Sequence, residues 1–162
     1  MISIQEYNQA VKECTKSLFR FLYKSLKDEE AVNDIVQDCY LKLWQHKDQV
    51  NPQKIKSWLF TVAYHGMLHY LKTSSRQVKL DKNCKVPPVF QNTAFDTQAI
   101  LETALNELSP VQKSILLLRD LEGHDYHEIG EILELTEAQV KVYLFRARQK
   151  VKNYIGELTN VL

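Results

Sequence analysis

Apolar residues recur at helical spacing along nearly the whole chain, and the alternating pattern typical of strands is absent. The low content of glycine and proline, four of each in 162 residues, also favours helices. Ser109 and Pro110 supply an N-cap followed by a proline at the first helical position. The spacing predicts an all-α protein with helices at about 4–26, 29–46, 53–73, 98–107, 110–121, 126–133 and 137–155.

One long segment, TSSRQVKLDKNCKVPPVFQNTAFD, separates the third and fourth predicted helices and shows no sustained periodicity. It is rich in Ser, Asn, Lys and Gln and contains Pro87 and Pro88, a composition typical of a flexible linker. Fully extended, it could reach about 80 Å. We therefore predict two small helical domains, residues 1–73 and 98–162, joined by a linker at residues 74–97.

The segment Tyr126–Lys150, YHEIGEILELTEAQVKVYLFRARQK, predicts a short helix, a tight turn and a second helix that Thr136 would cap. Val140, Leu144 and Ala147 form one apolar stripe that continues to Val151 and must face a core. This layout is typical of a DNA-reading helix-turn-helix.

The opposite face of that second helix carries an apolar ring among cations and an amide. Phe145 lies among Lys141, Val142, Arg146 and Gln149, and cations of this kind pair with phosphates or guanine edges. Contact with a DNA groove would remove the phenylalanine ring from water. The alternative is a plain helical hairpin with a basic, solvated face.

Charge is unevenly distributed, although the whole chain carries only +1. Residues 99–137 hold two basic and nine acidic residues, a balance of −7, whereas the chain from Ala138 onward holds five basic and one acidic, a balance of +4. Positive potential is thus predicted on the last helix alone. The acidic part would be repelled by phosphates or turned toward a protein.

The second predicted helix, DEEAVNDIVQDCYLKLWQH, has an ordinary core stripe and an unusual opposite face. Leu41 and Trp44 lie there among Asp34, Gln37 and Asp38. Apolar anchors ringed by polar groups are typical of protein interfaces. The alternative is that both residues pack on a neighbouring helix of the same domain.

The third predicted helix, KSWLFTVAYHGMLHYLK, is apolar around most of its circumference. An aromatic beside imidazoles and a cation would suit stacking on unpaired bases and phosphate contact. His65 and His69 have i, i+4 spacing that could also hold zinc, but no further ligands of suitable spacing follow, so neither metal nor cofactor is expected. The less apolar strip consists of Trp58, Thr61, His65, His69 and Lys72.

Neither a membrane span nor a signal peptide is predicted, because no apolar run approaches roughly 20 residues and the N-terminus lacks a basic start and apolar middle. We expect a cytoplasmic protein without membrane association. Cys14, Cys39 and Cys84 fit neither a disulfide framework nor a metal pair, so they are interpreted as reduced packing residues.

Three segments in this order, DIVQDCYLKLW, KSWLFTVAYHGMLHYLK and LSPVQKSILLLRDLEGHDYHEIGEILELTEAQVKVYLFRARQK, resemble RNA polymerase sigma factors of the extracytoplasmic-function (ECF) group of the sigma-70 superfamily. The resemblance covers nearly the whole chain. It implies a sigma2-like three-helix domain and a sigma4-like helix-turn-helix domain that direct core polymerase to promoters and initiate transcription, with no enzymatic activity.

The resemblance also implies partners and site residues. The acidic helix would dock on the β′ clamp of core polymerase, with the β flap as a second polymerase contact, and an anti-sigma protein is a further candidate partner. The third helix and the loop before it would engage and open the minus-ten element of promoter DNA, and the last helix would read the minus-thirty-five element. By the resemblance, the residues at the upstream element are Thr136, Gln139, Lys141, Val142, Tyr143, Phe145, Arg146 and Gln149.

The chain departs from the family pattern at several positions. Val142 and Tyr143 stand where relatives commonly have Ser and Arg, so base preference does not carry over. Histidines also replace Asn at position 65 and Asp at position 69, and the details of strand opening do not carry over either. Glu134 occupies a turn position usually given to glycine, where a left-handed backbone would cost roughly 1 to 2 kcal/mol.

Two rival functions are weighed against this interpretation. A stand-alone helix-turn-helix regulator would dimerise on a palindrome without polymerase. An enzyme would use Asp125, His127 and Glu128, or the two histidines of the third helix, but no phosphate loop, nucleophile motif or complete ligand set supports it.

Overall fold

The computed structural model describes residues 1–80 and 97–161, and within them the all-α prediction is confirmed. A 3₁₀ turn at Pro52–Lys54 precedes the third helix. A π-helical segment at Leu117–Leu121 continues the fifth helix, which the sequence predicted as one regular helix to residue 121. The helices are α1 Ile4–Leu26, α2 Glu29–Gln45, α3 Ile55–Leu80, α4 Thr97–Asn106, α5 Pro110–Leu116, α6 Tyr126–Leu133 and α7 Glu137–Val161.

Local capping defines the ends of α1 and α2. Ser3 and Glu6 form a reciprocal capping box that satisfies two free N–H groups at the start of α1. Lys27 ends this helix in a left-handed conformation, and the side chain of Asp28 then accepts a hydrogen bond from Ala31 N–H at the start of α2. These caps fold the two helices back on each other, so that their apolar stripes meet α3.

Helix α3 extends further than the sequence predicted. It continues to Leu80, so residues 74–80, which were assigned to the linker, are helical. The segment from Thr73 to Leu80 contains no glycine or proline, and a polar composition alone does not end a helix that is already nucleated by packing. The rest of the predicted linker, residues 81–96 with Cys84, lies outside the described residues.

In the second half, α4 and α5 pack against α7. Ser109 caps α5 in a reciprocal box with Gln112, and Pro110 occupies the first helical position, as predicted. Lys113 is buried on α5 and donates to Oδ1 of Asn106 at 3.2 Å. Desolvation by this burial, the largest cause, and repulsion from Lys27 lower the pKa of Lys113 from 10.5 to about 8.

The two halves pack against each other and share one apolar core. Phe21 of α1 meets Phe60 of α3 edge to face, and Phe60 in turn meets the ring of His124 from the second half, 4.8 Å between ring centroids. Helices α3 and α6 form the most extensive contact between the halves. The sequence predicted two tethered bodies and gave no indication of this shared core.

Buried thiols fit the prediction for two of the three cysteines. Cys14 and Cys39 are free and buried in the core of the first half. Desolvation raises the pKa of Cys39 to about 12, so its thiol is protonated at neutral pH. No helix among residues 1–80 and 97–161 combines the length and the apolar character that crossing a bilayer requires.

Candidate nucleic-acid and polymerase interfaces

Helices α6 and α7 form the predicted helix-turn-helix, and each end of the turn has an identifiable determinant. Glu134 ends α6 with φ 58° and ψ 46°, the left-handed conformation expected from its position. Gly130 is required because a Cβ there would lie 2.7 Å from the carbonyl oxygen of Leu135. Thr136 and Gln139 then form a reciprocal capping box that starts α7. The turn therefore holds α7 at a defined angle to α6.

The predicted outward face of α7 is exposed, and its predicted core stripe is buried. Val140, Leu144 and Ala147 lie in the core. Phe145 is 69% exposed, a large value for a phenylalanine, and it is the most prominent apolar group on this face. Exposed side chains at Lys141, Val142, Arg146 and Gln149 accompany it. The face thus combines two cations, an amide and an apolar ring on one rigid helix.

Four of the residues transferred by the resemblance are already engaged within the protein. Tyr143 is half-buried against the core, so its ring does not extend freely from the helix. Thr136 and Gln139 bond to each other's backbone in the cap, although both remain exposed. Gln149 also donates to Asn153 on its own helix. The other four, Lys141, Val142, Phe145 and Arg146, are exposed, and Lys141 also contacts the ring of Tyr126.

Sequence reasoning did not find the support for Lys141. The ring of Tyr126 at the start of α6 contacts two cations, with the guanidinium of Arg119 4.5 Å and the ammonium of Lys141 5.5 Å from its centroid. Such cation–π contacts restrain long side chains. Arg119 also donates to the carbonyl of His124 at 3.1 Å. Nothing in the sequence spacing indicates that Tyr126 contacts cations from two other elements.

The unusual face of α2 is also presented to solvent. Leu41 is 55% exposed, and Asp34, Gln37 and Asp38 around it are exposed as well. Trp44 is 40% exposed, and its ring meets the ring of Tyr7 of α1 at 5.3 Å and the ammonium of Lys47 at 3.8 Å. The alternative that these residues pack on a neighbouring helix of the same domain is therefore correct in part for Trp44. It does not hold for Leu41.

The strip on α3 divides into a packed end and an open end. Trp58 and Thr61 are half-buried, Trp58 lies near the ring of His46, and the Thr61 hydroxyl donates to the carbonyl of Ser57. His65, His69 and Lys72 are exposed and lie along one line. His65 also lies 4.0 Å from a carboxylate oxygen of Glu134 in the second half. Within the described part of the chain, no three metal-ligating side chains cluster.

The residues of the rival catalytic site have structural roles in α6. Asp125 caps the helix by accepting from Glu128 N–H at 2.8 Å. The carboxylate of Glu128 lies 2.9 Å from Nδ1 of the buried His124, and His127 contacts Glu131 and Glu137 instead. These three side chains thus bond to different partners and do not converge on one point.

An apolar groove lies between α4, the π-helical segment and α7. Its volume is about 600 Å³, and two of its leucines, Leu101 and Leu121, are exposed. Charged side chains of both signs line it, among them Lys24, Glu102 and Arg148. An apolar groove with a charged rim is typical of a surface that receives a partner's side chains.

Comparison with known proteins matches both halves to one family. The model of sigma-70 region 2 matches residues 10–77, and the model of sigma-70 region 4 matches residues 98–151. Among curated proteins, the ECF RNA polymerase sigma factor SigM of Bacillus subtilis is 28% identical over 141 residues, which cover 83% of this chain and 86% of that protein.

Solved structures give the same fold. Sigma factor RpoE of Bartonella quintana, solved in complex with the anti-sigma factor NepR, matches with a TM-score of 0.74 at 21% identity, covering 94% of this chain and 98% of that one. CnrH, solved with the cytosolic domain of CnrY, matches with a TM-score of 0.69 at 21% identity, covering 93% and 88%. With both region models matched in order, the chain belongs to the ECF group of the sigma-70 family and is an RNA polymerase sigma factor of transcription initiation, not an enzyme.

Proposed function

We propose that this sigma factor works through four separate surfaces on its two halves. Residues 1–73 form the sigma2-like domain for core polymerase and the minus-ten element, and residues 98–162 form the sigma4-like domain for the minus-thirty-five element. Residues 74–97 connect them, with the first seven of these extending α3. Because its partners act in the cytoplasm, the chain is proposed to act there as well.

The observation that carries the proposal is the open face of α7. A capped helix buries one stripe in its own core and presents Lys141, Phe145 and Arg146 on the opposite side. A major groove accepts one α-helix, and the cations would pair with phosphates or guanine edges while Phe145 contacts thymine methyl groups. Neither a protein core nor water satisfies this combination of groups equally well.

The polymerase contacts are assigned to apolar side chains that the chain leaves uncovered. Leu41 and Trp44 on α2, ringed by Asp34, Gln37 and Asp38, would meet the β′ clamp. The groove with Leu101 and Leu121 would receive the β flap. An anti-sigma protein would compete for these same two surfaces.

The strip of α3 is assigned to the minus-ten element. His65, His69 and Lys72 would contact unpaired bases and phosphates, with the half-buried Trp58 and Thr61 at the end of the same strip. Polymerase binding must precede this contact, because a surface with so few cations binds DNA weakly and with strong dependence on salt. Tethering to polymerase then raises the effective concentration of both DNA surfaces.

Reconstituted transcription tests the proposal. Core polymerase freed of its own sigma factor is mixed with the purified chain and a genomic DNA library, and RNA 5′ ends are mapped. We expect the chain to associate with the core and to start RNA at a defined set of sites that share an upstream sequence. A chain that binds core polymerase but starts RNA nowhere would refute the proposed function.

A further inference from the structure

Two exposed apolar side chains on α7 are neighbours. Val142 is 45% exposed and Phe145 is 69% exposed, although the other side of this helix contributes to the core. Residues three positions apart on an α-helix have adjacent side chains, so these two form one apolar pair. On a helical wheel the pair spans about 60°, and Lys141 and Arg146 lie about 40° beyond it, one on each side. The apolar pair is therefore the centre of the exposed face, with a cation on each flank.

The two amides near this pair are already hydrogen-bonded within the protein. Amide side chains recognise adenine in the major groove through two simultaneous hydrogen bonds. Oε1 of Gln139 accepts from the backbone N–H of Thr136, and Gln149 donates to Asn153. A two-bond contact with a base would compete with these bonds. The amides of α7 are therefore poorly placed to select adenine.

Lys141 is restrained on one flank of the face. Its ammonium lies 5.5 Å from the centroid of the Tyr126 ring at the start of α6, and the guanidinium of Arg119 contacts the same ring. A cation on the flank of a groove-binding helix is suited to a phosphate. Phosphate contacts fix the register of a protein on DNA, but they carry no direct sequence information. Lys141 is thus suited to raise the affinity for any sequence, and selection of a base requires other groups.

The apolar pair matches one chemical group of the major groove. Of the base edges exposed there, only that of thymine carries an apolar substituent, the C5-methyl group. Apolar side chains, phenylalanine among them, make specific contacts with this methyl group. Contact with it would also remove the exposed surface of Val142 and Phe145 from water, which is favourable.

We propose that Val142 and Phe145 are specificity-determining residues of this sigma factor, and that they select thymine in the upstream element through its C5-methyl group while Lys141 binds a phosphate. This inference rests on the proposed function of α7. It adds which side chains select a base and by which atom the base is recognised. It also separates the residues that select sequence from the one that only adds affinity.

Removal of single methyl groups from the DNA tests the proposal. The probe is a promoter from the reconstituted transcription in which about ten base pairs of the upstream element, one helical turn, are randomised. Complexes of the chain with core polymerase are selected on this pool, and we expect enrichment of thymine. Each enriched thymine is then replaced by deoxyuridine, which lacks the methyl group and keeps every hydrogen-bonding group. The affinity should fall about fourfold for a contacted thymine, the effect of uncovering one methylene-sized group.

Substitutions on α7 assign the contact to its side chains. Val142 and Phe145 are exposed, so their replacement leaves the core intact, and circular dichroism should be unchanged. Val142→Ala and Phe145→Ala should each make thymine and deoxyuridine equivalent at one position, whereas Phe145→Leu keeps an apolar side chain and part of the preference. Lys141→Ala should weaken both DNA forms equally and reduce the dependence of binding on salt. Lys16→Ala, at an exposed position on α1, controls for net charge.

Three results would overturn the proposal. One is equal affinity for thymine and deoxyuridine at every enriched position, or no enrichment of thymine at all. Another is a preference for thymine that survives both alanine substitutions, and the third is its disappearance in Lys141→Ala. Any of these leaves promoter-directed transcription standing. A wild-type chain that starts RNA nowhere would instead refute the proposed function and this inference with it, so the two failures are distinguishable.

Discussion

At the scale of single residues, Glu134 carries a steric strain that glycine would relieve. Its left-handed φ of 58° brings Cβ close to the following carbonyl oxygen. Glu134→Gly removes that Cβ, whereas Glu134→Ala keeps it and removes only the exposed carboxylate. We expect the glycine variant to exceed the alanine variant by about 1 kcal/mol in free energy of unfolding. Urea titration of both variants measures the difference, and equal stabilities would contradict the steric argument.

Lys113 also destabilises the folded protein, because its ammonium group is buried. This destabilisation depends on pH. Its pKa is about 8 in the folded protein and 10.5 in the reference state, so folding expels a proton between these values. The folded state is therefore penalised fully below pH 8, and its stability rises as pH increases from 8 toward 10.5. Lys113→Met should stabilise the protein at pH 7 by up to about 3 kcal/mol, and the gain should shrink at pH 10.

Denaturant titrations of the wild type, Lys113→Met and Lys16→Met at pH 7 and pH 10 test this expectation. Lys16 is exposed, so its replacement removes a charge without relieving burial. The comparison between variants cancels the titration of other lysines and tyrosines in the same range. A stabilisation by Lys113→Met that does not change with pH would show that burial of the charge is not its cause.

At the scale of helices, the two exposed faces should be separable by mutation. Arg146→Ala removes a free cation from the outer face of α7 and should weaken binding of the upstream element by 1 to 3 kcal/mol, about one to two orders of magnitude in affinity. Lys16→Ala removes an equal charge from an exposed position on α1 that belongs to none of the assigned surfaces, so it serves as the control. Electrophoretic shift of the assembled complex on promoter DNA measures both. Equal losses would mean that net charge alone determines binding.

Mutations on the exposed face of α2 should have the reverse effect, weakening the binding of polymerase and not that of DNA. Leu41→Ala, alone and combined with Trp44→Ala, should weaken association with core polymerase while the upstream DNA contact of the free chain is unchanged. Ile4→Ala, at another exposed apolar position on α1, is the control for general loss of apolar surface. Fluorescence titration with core polymerase gives the affinities. If Leu41→Ala and Ile4→Ala behave alike, the polymerase surface lies elsewhere.

Helix positions and faces were largely predictable from local sequence, because periodicity and capping act within a few residues. The stripe of Val140, Leu144 and Ala147 and the cap at Thr136 both depend on residues three or four positions apart in the chain. The end of α3 was predicted wrongly, since composition suggested a linker from residue 74, whereas the helix continues to Leu80. Tyr126 was missed because it bridges side chains from separate elements.

At the scale of the whole molecule, the packing of the two halves could not be predicted. Arg20 and Glu122 are 102 positions apart, and the Phe60–His124 contact is equally remote in the chain. Many lysines, arginines and carboxylates could have paired across the halves, and no local rule selects among them. Only the uneven charge, −7 over residues 99–137, bore on this packing, and it left open whether this part is merely repelled by phosphates or faces a protein.

A footprint of the assembled complex would distinguish a sigma factor with two DNA surfaces from a stand-alone regulator. Core polymerase, the purified chain and a mapped promoter are combined, and protected nucleotides are read on both strands. We predict protection near minus thirty-five and near minus ten, loss of the upstream segment alone in Arg146→Ala, and no stable footprint without polymerase. One palindromic footprint given by the chain alone, and unchanged by polymerase, would contradict this function.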